Sequence, residues 1–220
     1  MPKIEPVSGV KQHTVYKVDG QRVPGTTTII SVLNKPFLLS WANKIGLEGV
    51  EMSRYVDKLA RVGSLAHYMV EMHIKQEHPD FNSYSPEEIG LAENSFISFL
   101  EWEHGKEITY LDSEMKLVSK QFCFGGTVDA YAEINGKKTL LDFKTGKNLY
   151  PENLIQLAAY RHLAIENGFP VDEVRVLRIG RDSSEGFEER KEADLFVHWE
   201  LFKLLRQVYE LNKKINRKGA

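Results

Sequence analysis

The sequence predicts an α/β fold, and the order of its periodic segments is what predicts it. A long amphipathic helical pattern from about Ser53 is followed by helix, then by three strand-like segments, the last two joined by Asn135-Gly136. That dipeptide favours a two-residue hairpin, so the second and third strands should be antiparallel neighbours. A helix with apolar residues on several sides runs from Pro151 to about Asn167, and a further strand covers Val171 to Ile179. Strands and helices in that order make an α/β layer structure.

Each element has a local reason. Residues 13 to 23 alternate loosely around Asp19-Gly20 and predict a short hairpin, which Pro24-Gly25 breaks. Thr26 or Thr27 is placed to cap a helix through Ile29, Ile30, Val32 and Leu33. After Pro36 a second short helix is expected from Leu38 to Lys44, with Trp41 read as core packing. The helix from Ser53 carries Leu59, Val62, Leu65, Ala66, Met69 and Val70 on its apolar side and is expected to end at His78-Pro79-Asp80. His67 lies over the turn holding Gly63, where a glycine leaves an open shelf beside the imidazole that can admit a metal and a sheet edge. Ser85 caps the next helix, with Pro86 at its first position and Glu88 completing a capping box. It packs Ile89, Leu91, Phe96, Phe99 and Leu100, and stops near Gly105.

Residues 107 to 119 alternate as a strand, with Leu111, Met115 and Leu117 on one face and Asp112, Glu114 and Lys116 on the other. The next strands fall at roughly 122 to 134 and 137 to 144. Gly125-Gly126 weakens the first of them unless something approaches its backbone closely, and a phosphate is one candidate. Gln156 and Tyr160, four apart, share a face of the helix from Pro151. Arg175, Arg178 and Arg181 lie on or just after the last clear strand, and 182 to 186 is a loop. From Ala193 an amphipathic helix carries Leu195, Phe196, Trp199, Phe202, Leu205 and Val208 and ends in Lys213, Lys214, Arg217 and Lys218.

Composition excludes several classes. The 220 residues carry a net charge of −2, with 42% hydrophobic and 27% charged residues. This is ordinary for a soluble globular chain and counts against a protein that coats nucleic acid broadly; any DNA-binding surface must be local. There is no apolar run of about 18 residues for a membrane span. The N-terminus has neither a signal peptide's apolar core nor a transit peptide's Arg/Ser-rich character, which predicts a cytoplasmic location. Cys123 is the single cysteine, so no internal disulfide and no four-cysteine cluster can form within the chain. His67, His73 and His78 do not give the i, i+4 pair of a zincin.

The chemistry concentrates between Phe124 and Lys144. Residues two apart on a strand share a face, so Asp142 and Lys144 project together, and the hairpin brings Asp129 beside them. Paired carboxylates hold a hard divalent cation such as Mg²⁺ or Mn²⁺, which polarises a phosphate and lowers the pKa of water. A lysine beside them can orient or deprotonate that water. An Asp-x-Lys alone is more often a solvated or ion-paired surface feature.

Gly126-x-x-Asp129 with Asp142-x-Lys144, preceded by Gly63-x-x-x-His67 and followed by Gln156-x-x-x-Tyr160, resembles the PD-(D/E)XK nuclease superfamily in its RecB-like branch. Glu114 stands where that branch carries a glutamate. Val23-Pro24-Gly25-Thr26-Thr27-Thr28 and Leu39-Ser40-Trp41 look, more loosely, like phage exonucleases and the mitochondrial genome-maintenance exonuclease. The resemblance covers roughly residues 20 to 180. It implies a restriction-endonuclease-like core, a central mixed sheet flanked by helices with an N-terminal hairpin and helical region. One nuclease domain is expected over 1–220: hairpin and short helices at 1–52, core at 53–192, C-terminal helix and basic tail at 193–220.

By the same resemblance, His67, Asp129 and Asp142 bind Mg²⁺ or Mn²⁺ with the backbone carbonyl of Phe143, and Glu114 supports that metal or a second. Lys144 activates water, while Gln156, Tyr160 and Gly126 contact or order the substrate. Some members carry an iron–sulfur cluster; a lone Cys123 predicts none here. The implied activity is a deoxyribonuclease leaving 5′-phosphates, an exonuclease preferring free single-stranded ends, in DNA repair, recombination or phage DNA processing. It would be encoded by a bacterium or by a phage and act in the cytoplasm. The alternatives are a catalytically idle DNA-binding or assembly subunit, a structure-specific endonuclease, and a hydrolase of other phosphate esters.

Overall fold

The computed structural model describes residues 14–33 and 35–218; His13, where the expected hairpin begins, lies outside the described residues. In chain order the elements are β1 (Tyr16–Val18), β2 (Gln21–Val23), α1 (Thr26–Ile30), α2 (Phe37–Leu47), α3 (Met52–Lys75), α4 (Pro86–Glu103), β3 (Ile108–Ser119), β4 (Phe124–Ile134), β5 (Lys137–Lys144), α5 (Pro151–Glu166), β6 (Glu173–Ile179), β7 (Phe187–Glu192) and α6 (Phe196–Lys218). β1 and β2 form a hairpin, and the remaining strands form one sheet in the order β3-β4-β5-β6-β7. All neighbours in it are antiparallel except β5 and β6. The fold is thus mixed α/β, a five-stranded mixed sheet flanked by helices.

The turn between β4 and β5 has Asn135 at φ 50° and Gly136 at φ 73°, the doubly left-handed geometry that suits tight hairpins. Joining β5 to a parallel β6 requires a crossover, and α5 supplies it. Its Leu154, Leu157, Ala159 and Leu163 are buried in the larger cluster with Leu140, Val174 and Val176 of the sheet and Phe202 and Leu205 of α6. On the opposite face Val70 of α3 and Phe99 and Trp102 of α4 pack against Ala130, Ala132, Leu141, Phe143 and Leu177. Each such large side chain contributes about 1.5–3 kcal/mol by leaving water.

Several local expectations are corrected. Neither threonine caps α1: Gly25 is the N-cap residue, and Thr26 sends its hydroxyl to the Gly125 carbonyl at 3.0 Å. α3 ends at Lys75, before His78, because Gln76 turns left-handed at φ 57°. In β3 the register shifts between Tyr110 and Asp112, so Leu111 is exposed and does not share a face with Met115 and Leu117. One extra residue in a strand moves the alternation before it to the other side. The strand at Val171 begins at Glu173, and a seventh strand, β7, follows it. FEERKE has no apolar alternation; it is an edge strand held by charge, with Arg175–Glu189 at 2.8 Å and Arg178–Glu188 at 3.3 Å.

The capping box of α4 is present: Ser85 Oγ accepts from the Glu88 N–H, and Glu88 accepts from the Ser85 N–H at 2.8 Å. Glu88 also takes the Arg61 guanidinium of α3 at 2.6 Å. That hydrogen bond, ahead of the cap bonds, holds its carboxyl down from 4.5 to about 2. A depressed carboxyl adds stability above its unfolded pKa, and the contribution is lost as pH falls through the folded one. Glu88→Gln should therefore cost up to about 3 kcal/mol at pH 7, and the difference should shrink as pH falls from 4.5 toward 2. Urea midpoints of both proteins at pH 7 and pH 3 check this; an equal difference at both would mean the charge plays no part.

Candidate metal centre

The site forms where the sheet parts. The β4–β5 ladder ends at the pair Ala130 and Leu141. Beyond it, Asp129 Oδ2 accepts the Phe143 backbone N–H at 2.8 Å, so a side chain takes the amide the ladder has released. The alternation of β4 breaks at the same place, since Val128 joins the cluster under α5 while Ala130 joins the one under α3 and α4. On β3, Glu114 lies between the pairs Ser113–Ala130 and Met115–Val128, level with Asp129. Its φ of 52° is a left-handed conformation that a non-glycine residue adopts at a cost of about 1–3 kcal/mol.

His67 arrives from α3. Its Nδ1 is 3.4 Å from Asp129 Oδ1, and its ring meets Phe143 edge-on at 5.9 Å between centroids. The shelf at Gly63 admits the end of the sheet: a Cβ there would stand 2.7 Å from Thr145 Oγ1. The glycine lets α3 close on the end of β5, which brings the imidazole to the carboxylates. One ligand atom from each of His67, Glu114 and Asp129 lies within 4.8 Å of the other two.

Asp142 sits beside this trio. Its Oδ2 is 2.5 Å from Lys144 Nζ, an ion pair with the carboxylate almost fully buried. Burial raises the Asp142 carboxyl, opposed first by Lys144, and the neighbouring Asp129 raises it further. A buried carboxylate whose one ammonium partner is shared with the cleft, next to a second carboxylate, is a place where a cation relieves electrostatic cost. Carboxylate oxygens with one imidazole nitrogen suit Mg²⁺ or Mn²⁺, so the residues fit the expected group. Of the residues expected at the metal, His67, Glu114 and Asp129 form the tight trio, and Asp142 lies beside it. The Phe143 amide is the group that Asp129 holds.

From α5, Gln156 Nε2 donates to Tyr160 Oη at 2.7 Å, with both residues buried. Burial, then Asp142 and Asp129, push the Tyr160 phenol well above its ordinary range, so it stays neutral. Gly126 is not open to a ligand. A Cβ there would come 2.6 Å from Tyr160 Cε1 and 2.9 Å from Thr26 Oγ1; the close approach expected of a phosphate is made by the protein itself. Gly125 likewise receives the Tyr16 ring, and its N–H donates to the Pro24 carbonyl at 3.0 Å. Tyr16 Oη lies 2.8 Å from Thr127 Oγ1. The glycine pair is the seat on which the N-terminal hairpin rests.

That hairpin walls a cleft of about 1160 Å³ into which His67, Glu114, Asp129, Asp142, Lys144, Gln156 and Tyr160 all face. Arg22, Lys116 and Lys213 line it as well and were not singled out for the site from the sequence. Only the paired Gly125-Gly126, which demanded a close neighbour, pointed to the hairpin. Beyond His67 a second cavity of about 440 Å³ is lined by Trp41, Gly63 and Thr145. Trp41, expected in the core, is half-buried there, its ring 6.1 Å from that of Tyr55.

Fold and site together define a mixed α/β protein with an imidazole–carboxylate cluster at the seam of its sheet and a lysine–aspartate pair beside it. No family model and no curated protein matches the chain. Among solved structures, one described as SSO0001 aligns at 14% identity over 71% of this chain and 67% of its own, with a TM-score of 0.35. Another, described as LHK-Exo in complex with dAMP, aligns at 14% identity over 74% of this chain and 92% of its own, with a TM-score of 0.37. Among the described residues no helix is long and apolar enough to cross a membrane.

Proposed function

We propose that this chain is a metal-dependent deoxyribonuclease of the PD-(D/E)XK type, RecB-like branch, whose catalytic centre is the cleft at the sheet seam. One observation carries the reading: His67, Glu114 and Asp129 within 4.8 Å of one another, with the buried Asp142 and Lys144 at 2.5 Å in the same cleft. His67, Glu114, Asp129, Asp142 and the Phe143 carbonyl would hold Mg²⁺ or Mn²⁺, which when bound polarises the scissile phosphate and acidifies the attacking water. The chain's own residues do the rest. The Phe143 amide fixes the Asp129 carboxyl, Asp142 anchors the Lys144 ammonium, and Lys144 orients or accepts a proton from the water. Tyr160, kept neutral, retains a proton to donate as a hydrogen bond. Arg22, Lys116 and Lys213 offer contacts for phosphates flanking the one that is cut, a local basic track in a chain of net charge −2. The product is a strand with a 5′-phosphate.

The finer reading is an exonuclease acting from free single-stranded ends. Its support is the enclosure of the cleft by the hairpin and α1, since a walled cleft suits a threaded end better than a continuous duplex. Linear single-stranded DNA should be degraded in the presence of Mg²⁺ or Mn²⁺, and the same sequence circularised should resist. EDTA should stop the reaction. A time course on both forms checks this; loss of both at similar rates would mean internal cutting and would favour an endonuclease. No cleavage of either, with DNA still bound, would favour an idle binding subunit.

A further inference from the structure

The outer face of α6 carries a second apolar stripe that the fold does not use. The inner face buries Phe202 and Leu205 in the main core, with Trp199 and Tyr209 packed against it. Opposite them, Val197, Leu201, Leu204, Val208, Leu211 and Ile215 are 37% to 73% exposed. Their spacing is four, three, four, three, four. A helix lying on a core needs one stripe at a period near 3.6. A second stripe at 3.5, sustained over roughly 27 Å of helix, is the seam of a two-helix coiled coil. Single exposed leucines need no explanation, but a contiguous seam of six does.

We propose that this face is a homodimer interface in which α6 packs antiparallel against α6 of a second copy. A second copy presents a helix with the same repeat, and among the exposed large apolar residues described here only α6 has one. Charge selects the orientation. Glu200, Gln207 and Lys214 flank the seam on one side, and His198 and Asn212 on the other. In an antiparallel pair equal flanks meet, which sets Glu200 against the partner's Lys214 twice per dimer and Gln207 against the partner's Gln207. A parallel pair would set Glu200 against the partner's Leu205 and form no ion pair. The present Glu200–Lys203 contact at 2.7 Å is an i, i+3 surface pair, cheaply redirected. The two-fold axis then falls near Arg206, with Leu204 on the partner's Val208 and Leu201 on the partner's Leu211. This inference does not depend on the nuclease reading.

The test is sedimentation of the full chain over a low- to high-micromolar range. The native chain should dimerise, and Leu204→Glu/Val208→Glu should raise Kd by about 100-fold while the melt at concentrations where the native chain is monomeric stays the same, because in the single chain both side chains are already in water. Glu200→Lys should raise Kd by about tenfold, and Glu200→Lys/Lys214→Glu should restore it. A native chain monomeric throughout, or a dimer indifferent to Leu204→Glu/Val208→Glu, overturns the interface. A charge reversal that the second reversal fails to rescue overturns the antiparallel register.

Discussion

Asp142→Asn should lower DNA cleavage by about 10³-fold while leaving the metal-free protein at least as stable as the native chain. The two effects share one cause. Asp142 is almost fully buried beside Asp129, and its carboxyl is raised by that burial. A carboxyl raised in the fold contributes stability only while protonated, and the contribution is lost as pH rises through its folded pKa. At neutral pH without a divalent cation the burial of this carboxyl opposes folding, and asparagine removes the ionisable group with little change of shape. A ligand that binds only the native state stabilises it by about 2.7 kcal/mol at one hundred times Kd. Adding Mn²⁺ should thus raise the Tm of the native chain clearly and that of Asp142→Asn much less. Thermal melts with Mn²⁺ and with EDTA, beside a gel assay, measure both. Near-normal cleavage by a folded Asp142→Asn protein would remove Asp142 from the site. A variant less stable than the native chain in EDTA would make Asp142 a structural partner of Lys144 instead.

The parts of this fold legible in the sequence are those set by neighbours in the chain. Asn135-Gly136 announced its hairpin because both residues tolerate positive φ, and Ser85-Pro86 with Glu88 announced α4 because a cap is a four-residue device. β7 was illegible because its residues point their charges at β6 rather than alternating apolar and polar. Leu111 misled because a bulge is a property of the pair of strands, not of one. The site divides in the same way. Asp129, Asp142 and Lys144 could be placed in one neighbourhood from strand period and turn type. Arg22 and Lys213, nearly two hundred residues apart, share the cleft through tertiary contact alone. The helix from Ala193 read as one amphipathic surface with Phe202 and Val208 together. In three dimensions Phe202 is core and Val208 is solvent-facing, a distinction that needs the position of the sheet.

Lys144→Ala should reduce turnover by about 10²-fold or more while DNA binding changes little, because the ammonium's proposed work lies in the reacting state. Two roles compete for this residue. It neutralises the buried Asp142 at 2.5 Å, a purely electrostatic task, and it faces the cleft where the attacking water would be oriented. Alanine removes both, so it cannot separate them. Arginine can: its guanidinium keeps the positive charge for Asp142 but is never deprotonated at working pH, and its planar fork does not reproduce a compact ammonium. If Lys144 handles the water, Lys144→Arg should stay within about tenfold of Lys144→Ala in kcat, with Kd for an oligonucleotide near the native value in both. Single-turnover cleavage and binding measured in Ca²⁺ give the two numbers separately. Recovery of near-native kcat by Lys144→Arg would reduce the residue to a counter-charge for Asp142. Equal losses in binding and turnover in Lys144→Ala would make it a phosphate contact.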